Sequence, residues 1–375
     1  MKAKLTLFVI LLAISNATAQ TTEYTNVYKH YTGKINNINS SIDILFYDSD
    51  VIANFYQDGK DFFHLQGMIN EGKIDLRNSD TDSDFLFGDT INNSISGICF
   101  LNNKKYTLLL KEDYSNCIKF NEINANLQDS VLFQSNSENK GVANIMINYL
   151  YYQPAFYKNN PVKQDVKDVF GKAFYEKTTS YVDGSFYNPE PYPLMKLKEK
   201  LLIEKNKYHT NILNQTSQDN DFTNNDLLYN EVNTQEIIYN NKGIVSIINN
   251  CYSYAGGAHG MYASVPAIFD VENNKLLSKE DVFKPNCDKN IIDFIIKYFI
   301  SIGIADDKND DESEGIFKDQ IYIEDNFCVN NKYFIFYYQP YDIGSYTDGV
   351  YKAKIKISDL LPYILDNSPL RRIFE

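Results

Sequence analysis

The 375-residue sequence contains no tryptophan and only four histidines, and none of its five cysteines is spaced C-x-x-C from another. Without that spacing, neither a zinc site nor a redox-active dithiol is indicated. Basic residues are also in deficit, because 36 Lys and Arg stand against 49 Asp and Glu, which gives a net charge of −13. An acidic chain repels phosphate backbones and anionic headgroups. Nucleic acid and anionic lipid are therefore poor partners, whereas a cationic partner would be attracted.

Signatures of common catalytic and nucleotide-binding sites are also missing. The chain has no G-x-S-x-G, no H-E-x-x-H, no P-loop and no dinucleotide fingerprint. Its histidines, His30, His64, His209 and His259, are widely separated along the chain. We therefore expect no metal and no cofactor.

The N-terminus holds the only long apolar run that matters for targeting. Lys2 and Lys4 flank the start of the run Leu5–Ile14, and Ala17-Thr18-Ala19 forms an A-x-A cleavage site. This order is typical of a secretory signal peptide; an uncleaved anchor is the alternative. No later stretch reaches the ~18 uninterrupted apolar residues of a membrane span. The sequence predicts a signal peptide over residues 1–19 and an exported protein, periplasmic or secreted, with no membrane span after cleavage.

The five cysteines follow the cleavage site, and an exported protein can oxidise them. They are Cys99, Cys117, Cys251, Cys287 and Cys328. Because the number is odd, at least one cannot pair within the chain. We interpret most of them as small buried residues; the alternatives are a Cys99–Cys117 or a Cys251–Cys287 disulfide.

The first part of the chain has the pattern of an all-β domain. Short alternating segments between residues 24 and 115 are separated by turns about every ten residues, and Tyr and Phe favour strands. The sequence predicts an antiparallel β meander or small barrel over residues 20–120. A packed interior is preferred over a ligand site at the barrel mouth. His64 alternates with Phe63 and Leu65, so it is expected to face solvent.

The second part, residues 121–375, has the pattern of an α+β domain with helices packed on an antiparallel sheet. Residues 116–141 are polar and show little pattern. A strand, Val142–Tyr151, is expected to end at Pro154. The remaining expected elements are helices over 162–177, 194–207, Asp288–Ser301 and Leu360–Leu365, and strands Thr234–Tyr239, Ile244–Tyr254, Ile321–Ile323, Tyr333–Tyr338 and Tyr351–Ile357.

A glycine-rich stretch, Asn250–Gly260, joins two of these strands. Gly256 and Gly257 permit close backbone approach, so the sequence predicts a tight buried crossing with His259 held in it. His259 is the best candidate for a catalytic residue, although a hydrogen-bonded core role is preferred over a general base or a metal ligand. A base would need an orienting carboxylate and a nucleophile, for which Asp342 and Tyr341 are the candidates.

The same stretch carries a family resemblance. Tyr254–Gly260 reads Tyr-Ala-Gly-Gly-Ala-His-Gly and resembles the GGAHG signature of a bacterial extracellular domain of unknown function. That domain occurs in the lysozyme-responsive anti-sigma factor RsiV and in the accessory region of the peptidoglycan deacetylase PdaC. Phe334–Gly349 resembles the family's F-x-x-Y-E-I-x-x-Y-x-x-G segment, with Asp342 in place of Glu and Gly344-Ser345 in place of Ala-Pro. The resemblance covers roughly residues 140–365, and the preceding residues loosely resemble the lipocalin-like β domains often fused to this family.

Residues of the two segments are the candidate binding positions: Tyr254, Gly256, Gly257, His259, Tyr338, Tyr341, Asp342 and Tyr346. The metal-binding motifs of the deacetylase are missing, so its activity is not expected. RsiV-like proteins bind lysozyme, and the acidic stretch Asp306–Glu314 could dock such a basic protein. RsiV-type signalling is not expected, because the transmembrane helix and the sigma-binding segment are missing.

Three classes of function remain open on this basis. The preferred one is a non-catalytic exported module that recognises cell-wall glycan (peptidoglycan) or a protein such as lysozyme. The alternatives are a peptidoglycan-related hydrolase centred on His259 and a carrier of a small ligand in the N-terminal β domain.

Overall fold

The structure, a computed structural model, describes residues 26–47, 49–58, 62–91, 93–134, 140–158, 160–168, 170–171, 205–210, 228–256, 258–305 and 315–374. The predicted signal peptide, the acidic stretch 306–314 and most of the predicted helix over 194–207 lie outside these residues.

Eight strands form a closed antiparallel barrel in chain order. Each strand pairs with the next, and β1 pairs with β8 through Tyr31 opposite Glu112 and Gly33 opposite Leu110. The predicted meander or small barrel is therefore confirmed as a barrel. Its strands are β1 (Asn26–Ile35), β2 (Ile38–Tyr47), β3 (Asp50–Gln57), β4 (Phe62–Asn70), β5 (Lys73–Asn78), β6 (Ser83–Ile91), β7 (Ser94–Leu101) and β8 (Lys104–Glu112).

Apolar side chains fill the interior of the barrel. Successive residues of a strand point to opposite faces, and the inward set is almost entirely buried. Phe55, Phe63 and Phe85 contact one another with ring centroids 5.0–6.2 Å apart. An eight-stranded barrel is just wide enough for side chains to fill. The interior set also includes Ile35, Ile42, Ile44, Val51, Leu65, Ile74, Leu76, Leu86, Ile95, Cys99, Leu108 and Leu110.

A second sheet follows, in the order β11-β10-β12-β13-β14-β15, with β9 paired to β10. Strands β9 and β10 form a long hairpin, whereas β10 runs parallel to β12, with Ile145 opposite Tyr229. The other pairs are antiparallel. The strands are β9 (Ile118–Gln134), β10 (Lys140–Tyr157), β11 (Asn160–Pro161), β12 (Tyr229–Asn241), β13 (Ile244–Tyr254), β14 (Met261–Asp270) and β15 (Lys275–Leu276).

A small antiparallel sheet and short helices complete the α+β domain. The sheet contains β16 (Phe327–Val329), β17 (Tyr333–Tyr338) and β18 (Tyr351–Lys356). The α-helices are Lys279–Val282, Asp288–Ser301, Ile357–Leu360 and Arg371–Phe374, with 3-10 turns at Lys318–Gln320, Tyr346–Asp348 and Leu361–Tyr363. Residues 164–168, 170–171 and 205–210 are also helical.

The second sheet is buried on both faces. On one face, Ile248 and Ile268 belong to a core that contains the small sheet and the helix Asp288–Ser301. On the other face, Ile247 and Phe269 pack in a core with Phe170 and with residues of the barrel wall. The helix contributes Ile291, Ile295 and Phe299, which repeat every four residues along its inner face and are 0% exposed.

Several elements differ from the sequence prediction. Residues 118–134 form a strand rather than an unpatterned segment, because they pair along almost their whole length with β10. That partner continues past Pro154 to Tyr157, since the register shifts by a bulge between Pro154 and Phe156 and a bulge accommodates the missing proline N–H. Residues Ile321–Ile323 are not a strand, and the helix expected from Leu360 begins at Ile357 instead.

All five cysteines are buried, and Cys99, Cys117 and Cys287 are free thiols. Neither proposed disulfide forms, so those two alternatives are wrong and the interpretation as small buried residues is confirmed. In the described ranges, no helix is long and apolar enough to cross a membrane.

Candidate functional site: an aromatic surface formed by two segments

The glycine-rich stretch and the segment after β17 meet at one edge of the α+β domain. Gln339, directly after β17, is the anchor between them. Its Oε1 accepts a hydrogen bond from Ser264 N, and its Nε2 donates to Ser264 O, each at 2.8 Å. Because Ser264 lies in β14, next to the loop 255–260, this pair of bonds holds the second segment beside the first.

Aromatic rings from the two segments stack against each other. The rings of His259 and Tyr346 lie with centroids 4.1 Å apart and planes 27° apart. The ring of Tyr341 also packs on that of Tyr346, with centroids 5.5 Å apart and planes 33° apart. The ring of Tyr262 packs edge-on against Tyr346, with centroids 5.4 Å apart. We call His259, Tyr341, Tyr346 and Tyr262 the aromatic surface.

The aromatic surface faces solvent. Tyr341 is 60% exposed and the neighbouring Met261 is 48% exposed, and His259 is also exposed. The expectation of a buried crossing around His259 is therefore wrong. The loop lies beyond Ser253 opposite Met261, the last pair of the β13–β14 ladder, so it projects from the end of the sheet instead of crossing the core.

Hydrogen bonds to backbone groups fix the orientation of the rings. The carbonyl oxygen of Gly260 accepts from the hydroxyl of Tyr346 and lies 3.0 Å from Nδ1 of His259. The hydroxyl of Tyr262 donates in turn to the carbonyl of Tyr346 at 3.2 Å. The rings are thus preorganised, which lowers the conformational entropy lost when a ligand binds.

Two glycines are needed because tyrosine rings pack directly on their backbone. A Cβ on Gly260 would lie 2.6 Å from the ring of Tyr252, and a Cβ on Gly344 would meet the ring and hydroxyl of Tyr351. Contacts under 3.0 Å require the neighbour to move. The family segment has alanine at the position of Gly344. In this chain the glycine leaves room for the ring of Tyr351.

Other candidate binding residues have supporting positions. Tyr338 is buried and donates its hydroxyl to Tyr322 O at 2.9 Å. The carboxylate of Asp342 accepts from the hydroxyl of Tyr322 at 2.8 Å and from Gln339 N at 2.7 Å. Tyr254 is half-buried at the end of β13. Gly256 has a φ of 90°, a left-handed conformation that suits glycine, and Gly257 lies outside the described residues.

His259 does not form a catalytic arrangement with the expected partners. Among the described residues its ring contacts the Gly260 carbonyl and Tyr346, not a carboxylate. Asp342, the candidate orienting group, is engaged by Tyr322 and the backbone of Gln339. Within the described part of the chain, no group of three His, Cys, Asp or Glu residues could hold a metal ion.

The carboxylate of Asp348 lies two residues after Tyr346 of the aromatic surface. Its Oδ2 accepts from the hydroxyls of Tyr351 at 2.7 Å and Ser345 at 2.8 Å, and these hydrogen bonds lower the pKa of Asp348. Burial, followed by the neighbouring tyrosines, raises the pKa of Tyr346. At neutral pH the surface therefore combines neutral hydroxyl groups and ring faces with an ionised carboxylate at its rim.

Three residues of the site carry no signal in the sequence: Gln339, Tyr262 and Asp348. Gln339 and Asp348 lie within the quoted segment Phe334–Gly349, but nothing in their local pattern shows that they contact other residues. Tyr262 directly follows the loop in β14, where it reads only as a strand residue.

Comparison with known proteins gives a partial match. Residues 280–358 match the family described as "Protein of unknown function (DUF3298)", so a DUF3298 domain is present there. This range contains the second segment, Phe334–Gly349, and not the first. No curated protein matches the chain.

A solved structure of a DUF3298 family member resembles the fold. A crystal structure of a DUF3298 family member from Bacteroides fragilis has a TM-score of 0.51 at 17% identity, covering 69% of this chain and 98% of that one. A DUF3298 family protein from Pseudomonas aeruginosa has a TM-score of 0.41 at 15% identity, covering 70% of this chain and 99% of that one. The first likeness extends beyond residues 280–358 and concerns the fold alone.

Proposed function

We propose that this protein is an exported, non-catalytic binding protein that recognises cell-wall glycan through the aromatic surface. The observation that carries the proposal is the solvent-facing stack of His259, Tyr346 and Tyr341. Sugar rings present an apolar C–H face, for which an exposed, rigid aromatic ring is a matching surface, and tyrosine hydroxyls add polar contacts. The N-terminal pattern of residues 1–19 supports export, and the resemblance of the two segments supports a relation to the RsiV and PdaC domains.

A basic protein such as lysozyme is the second candidate ligand. It is favoured by the net charge of −13 and by the ionised carboxylate of Asp348 at the rim of the surface, since a cationic group can contact both a carboxylate and an aromatic face. The hypothesis that Asp306–Glu314 docks such a partner concerns residues outside the described ranges and rests on charge.

The other two classes of function receive less support. A hydrolase centred on His259 needs an orienting carboxylate, which no described residue supplies to that ring. A carrier needs room in the barrel, and apolar side chains fill its interior.

The test is retention of the purified mature protein on insoluble peptidoglycan. Tyr341→Ala removes the most exposed ring of the stack, and we expect at least a tenfold weaker binding, equivalent to about 1.4 kcal/mol. Stability should change by less than about 0.5 kcal/mol, because the ring is mostly exposed. Phe87→Ala is the matched control, since Phe87 is an exposed aromatic (37%) on the barrel wall.

A parallel measurement with lysozyme at low ionic strength separates the two ligands, because charge attraction is strongest there. If the protein binds lysozyme but not peptidoglycan, and Asp348→Asn abolishes that binding, the basic protein is the ligand. If neither ligand is retained, or if Phe87→Ala weakens retention as much as Tyr341→Ala, the aromatic surface is not the recognition site.

A further inference from the structure

Strand β14 has an outer edge on the side away from β13. In an antiparallel pair, alternate residues point both backbone groups at the partner strand, and the residues between them point both groups away. The carbonyl of Ile268 accepts from Leu277 N at 2.8 Å, and Ser264 bonds the side chain of Gln339 through both of its backbone groups. These even-numbered residues therefore point outwards. Because the register with β13 is unbroken along the strand, Tyr262 also points its N–H and C=O outwards.

Side chains of the second segment occupy this edge on both sides of Tyr262. The carboxamide of Gln339 closes the position of Ser264, since its Oε1 accepts from the N–H and its Nε2 donates to the C=O, each at 2.8 Å. At the other end, the carbonyl of Gly260 accepts from the hydroxyl of Tyr346. In the described part of the chain, no group is hydrogen-bonded to the N–H or C=O of Tyr262. One position of the edge is thus open between two that are closed.

A turn directly after Gln339 ends the contact of the second segment with the edge. Asp342 N donates to Gln339 O at 3.0 Å, and Pro340 and Tyr341 lie at the centre of the turn. Tyr341 has a φ of 73°, a left-handed conformation that is uncommon for a bulky residue and costs stability. Backbone strain of this kind is concentrated at binding sites. Here it accompanies a ring that is 60% exposed and an edge that is left open.

The open position selects a ligand that carries a donor and an acceptor side by side. Tyr262 presents its N–H and C=O as Ser264 does, and at Ser264 a carboxamide satisfies both groups. One residue of an extended peptide offers the same pair, because its own N–H and C=O point to one side. A sugar N-acetyl group cannot offer both from its amide, because a trans amide points its N–H and C=O in opposite directions.

We propose that the open position at Tyr262 is a peptide subsite, at which one residue of an extended ligand forms two hydrogen bonds with the backbone of β14. The inference rests on the proposed function and adds a second part of the same ligand, the peptide stems of peptidoglycan. This end of β14 reaches the surface, since Tyr262 is half-buried and Met261 is 48% exposed. Gln339 and Tyr346 close the edge on either side. The subsite therefore takes a single residue and not a whole strand.

The ligand test compares intact peptidoglycan with glycan from which an amidase has removed the peptides. Retention of the purified mature protein should be about tenfold weaker on the stripped glycan, because two hydrogen bonds are lost. The released peptides should also compete for binding to intact peptidoglycan. Equal retention on the two materials would overturn the subsite and leave the proposed function intact. No retention on either material would overturn the proposed function and the subsite with it.

Substitutions at position 262 separate the backbone from the ring. Tyr262→Ala removes the ring and keeps the N–H, whereas Tyr262→Pro removes both. Proline is tolerated at an edge position whose N–H points away from the sheet, and Pro266 already lies on the same side of β14. On intact peptidoglycan, Tyr262→Pro should bind about fivefold more weakly than Tyr262→Ala, because one more hydrogen bond is lost.

Both variants lose the contact with the ring of Tyr346, so the difference between them reports the N–H alone. On the stripped glycan the two variants should bind equally. Equal binding of both variants to intact peptidoglycan would show that the N–H of Tyr262 is not used. The comparison of the two materials uses the unchanged protein, so it decides the question even if Tyr262→Pro does not fold.

Discussion

Replacing Gln339 by alanine tests whether the aromatic surface depends on this buried anchor. The side chain is 6% exposed and makes two 2.8 Å hydrogen bonds to the backbone of Ser264. Each such bond contributes about 1 kcal/mol net, and the half-buried Ser264 allows water to replace part of the loss. We therefore expect Gln339→Ala to lower the free energy of unfolding by about 2 kcal/mol. Retention on peptidoglycan should fall as well, since the second segment loses its fixed position.

Urea unfolding followed by tyrosine fluorescence is a suitable assay, because the chain has 30 tyrosines and no tryptophan. Gln339→Glu serves as the control: its carboxylate can still accept from Ser264 N but cannot donate to Ser264 O. Because a buried carboxylate oxygen would then face the Ser264 carbonyl oxygen, its effect should be at least as large as that of Gln339→Ala if the two hydrogen bonds are the cause. If Gln339→Ala has the same urea midpoint and the same retention on peptidoglycan as the unchanged protein, Gln339 is not an anchor.

Two further predictions concern the cores. Phe299→Ala should lower the free energy of unfolding of the second domain by about 3–5 kcal/mol, because the ring is 0% exposed and packs edge-on against Tyr338; a change below about 1 kcal/mol in urea unfolding would contradict this. Gly97→Ala should prevent normal closure of the barrel, since its Cβ would lie 2.5 Å from the Cα of Gly88 on the next strand. Near-UV circular dichroism checks this, with Gly171→Ala as the control because a Cβ there meets no described residue within 4 Å; equal spectra for both variants would contradict it.

The strands of the barrel were predictable because their signal is local. Alternation along each segment marks a strand whose one face is buried, and the region between residues 24 and 115 contains the eight strands of the barrel. Strand β9 was missed although Ile123, Ala125 and Leu127 alternate with polar residues, because its many Asn, Asp and Gln residues are typical of a loop. The parallel pairing of β10 with β12 could not be predicted either, because no residue near either strand identifies its partner.

The candidate site was predictable in its residues but not in its exposure. The resemblance selected His259, Tyr341 and Tyr346, and the structure brings these three together. The pair of glycines was interpreted as a sign of buried backbone, whereas the close packing is local, between Gly260 and the ring of Tyr252. The buried pair of His30 and Asp43 was not visible in the sequence, because it depends on the register between two neighbouring strands.

The two domains differ in what each needs in order to fold. Every strand pair of the barrel lies within residues 26–112, so it can form as soon as β8 is available. The second sheet instead needs Ile145 to find Tyr229, 84 residues further on (229 − 145), which makes it the slower partner. In that interval the wall is open to water, and it combines the polar His30 and Asp43 with the rings of Tyr28 and Tyr56, which the second domain later buries. The barrel can thus exist as a finished, hydrated intermediate until its partner surface is complete.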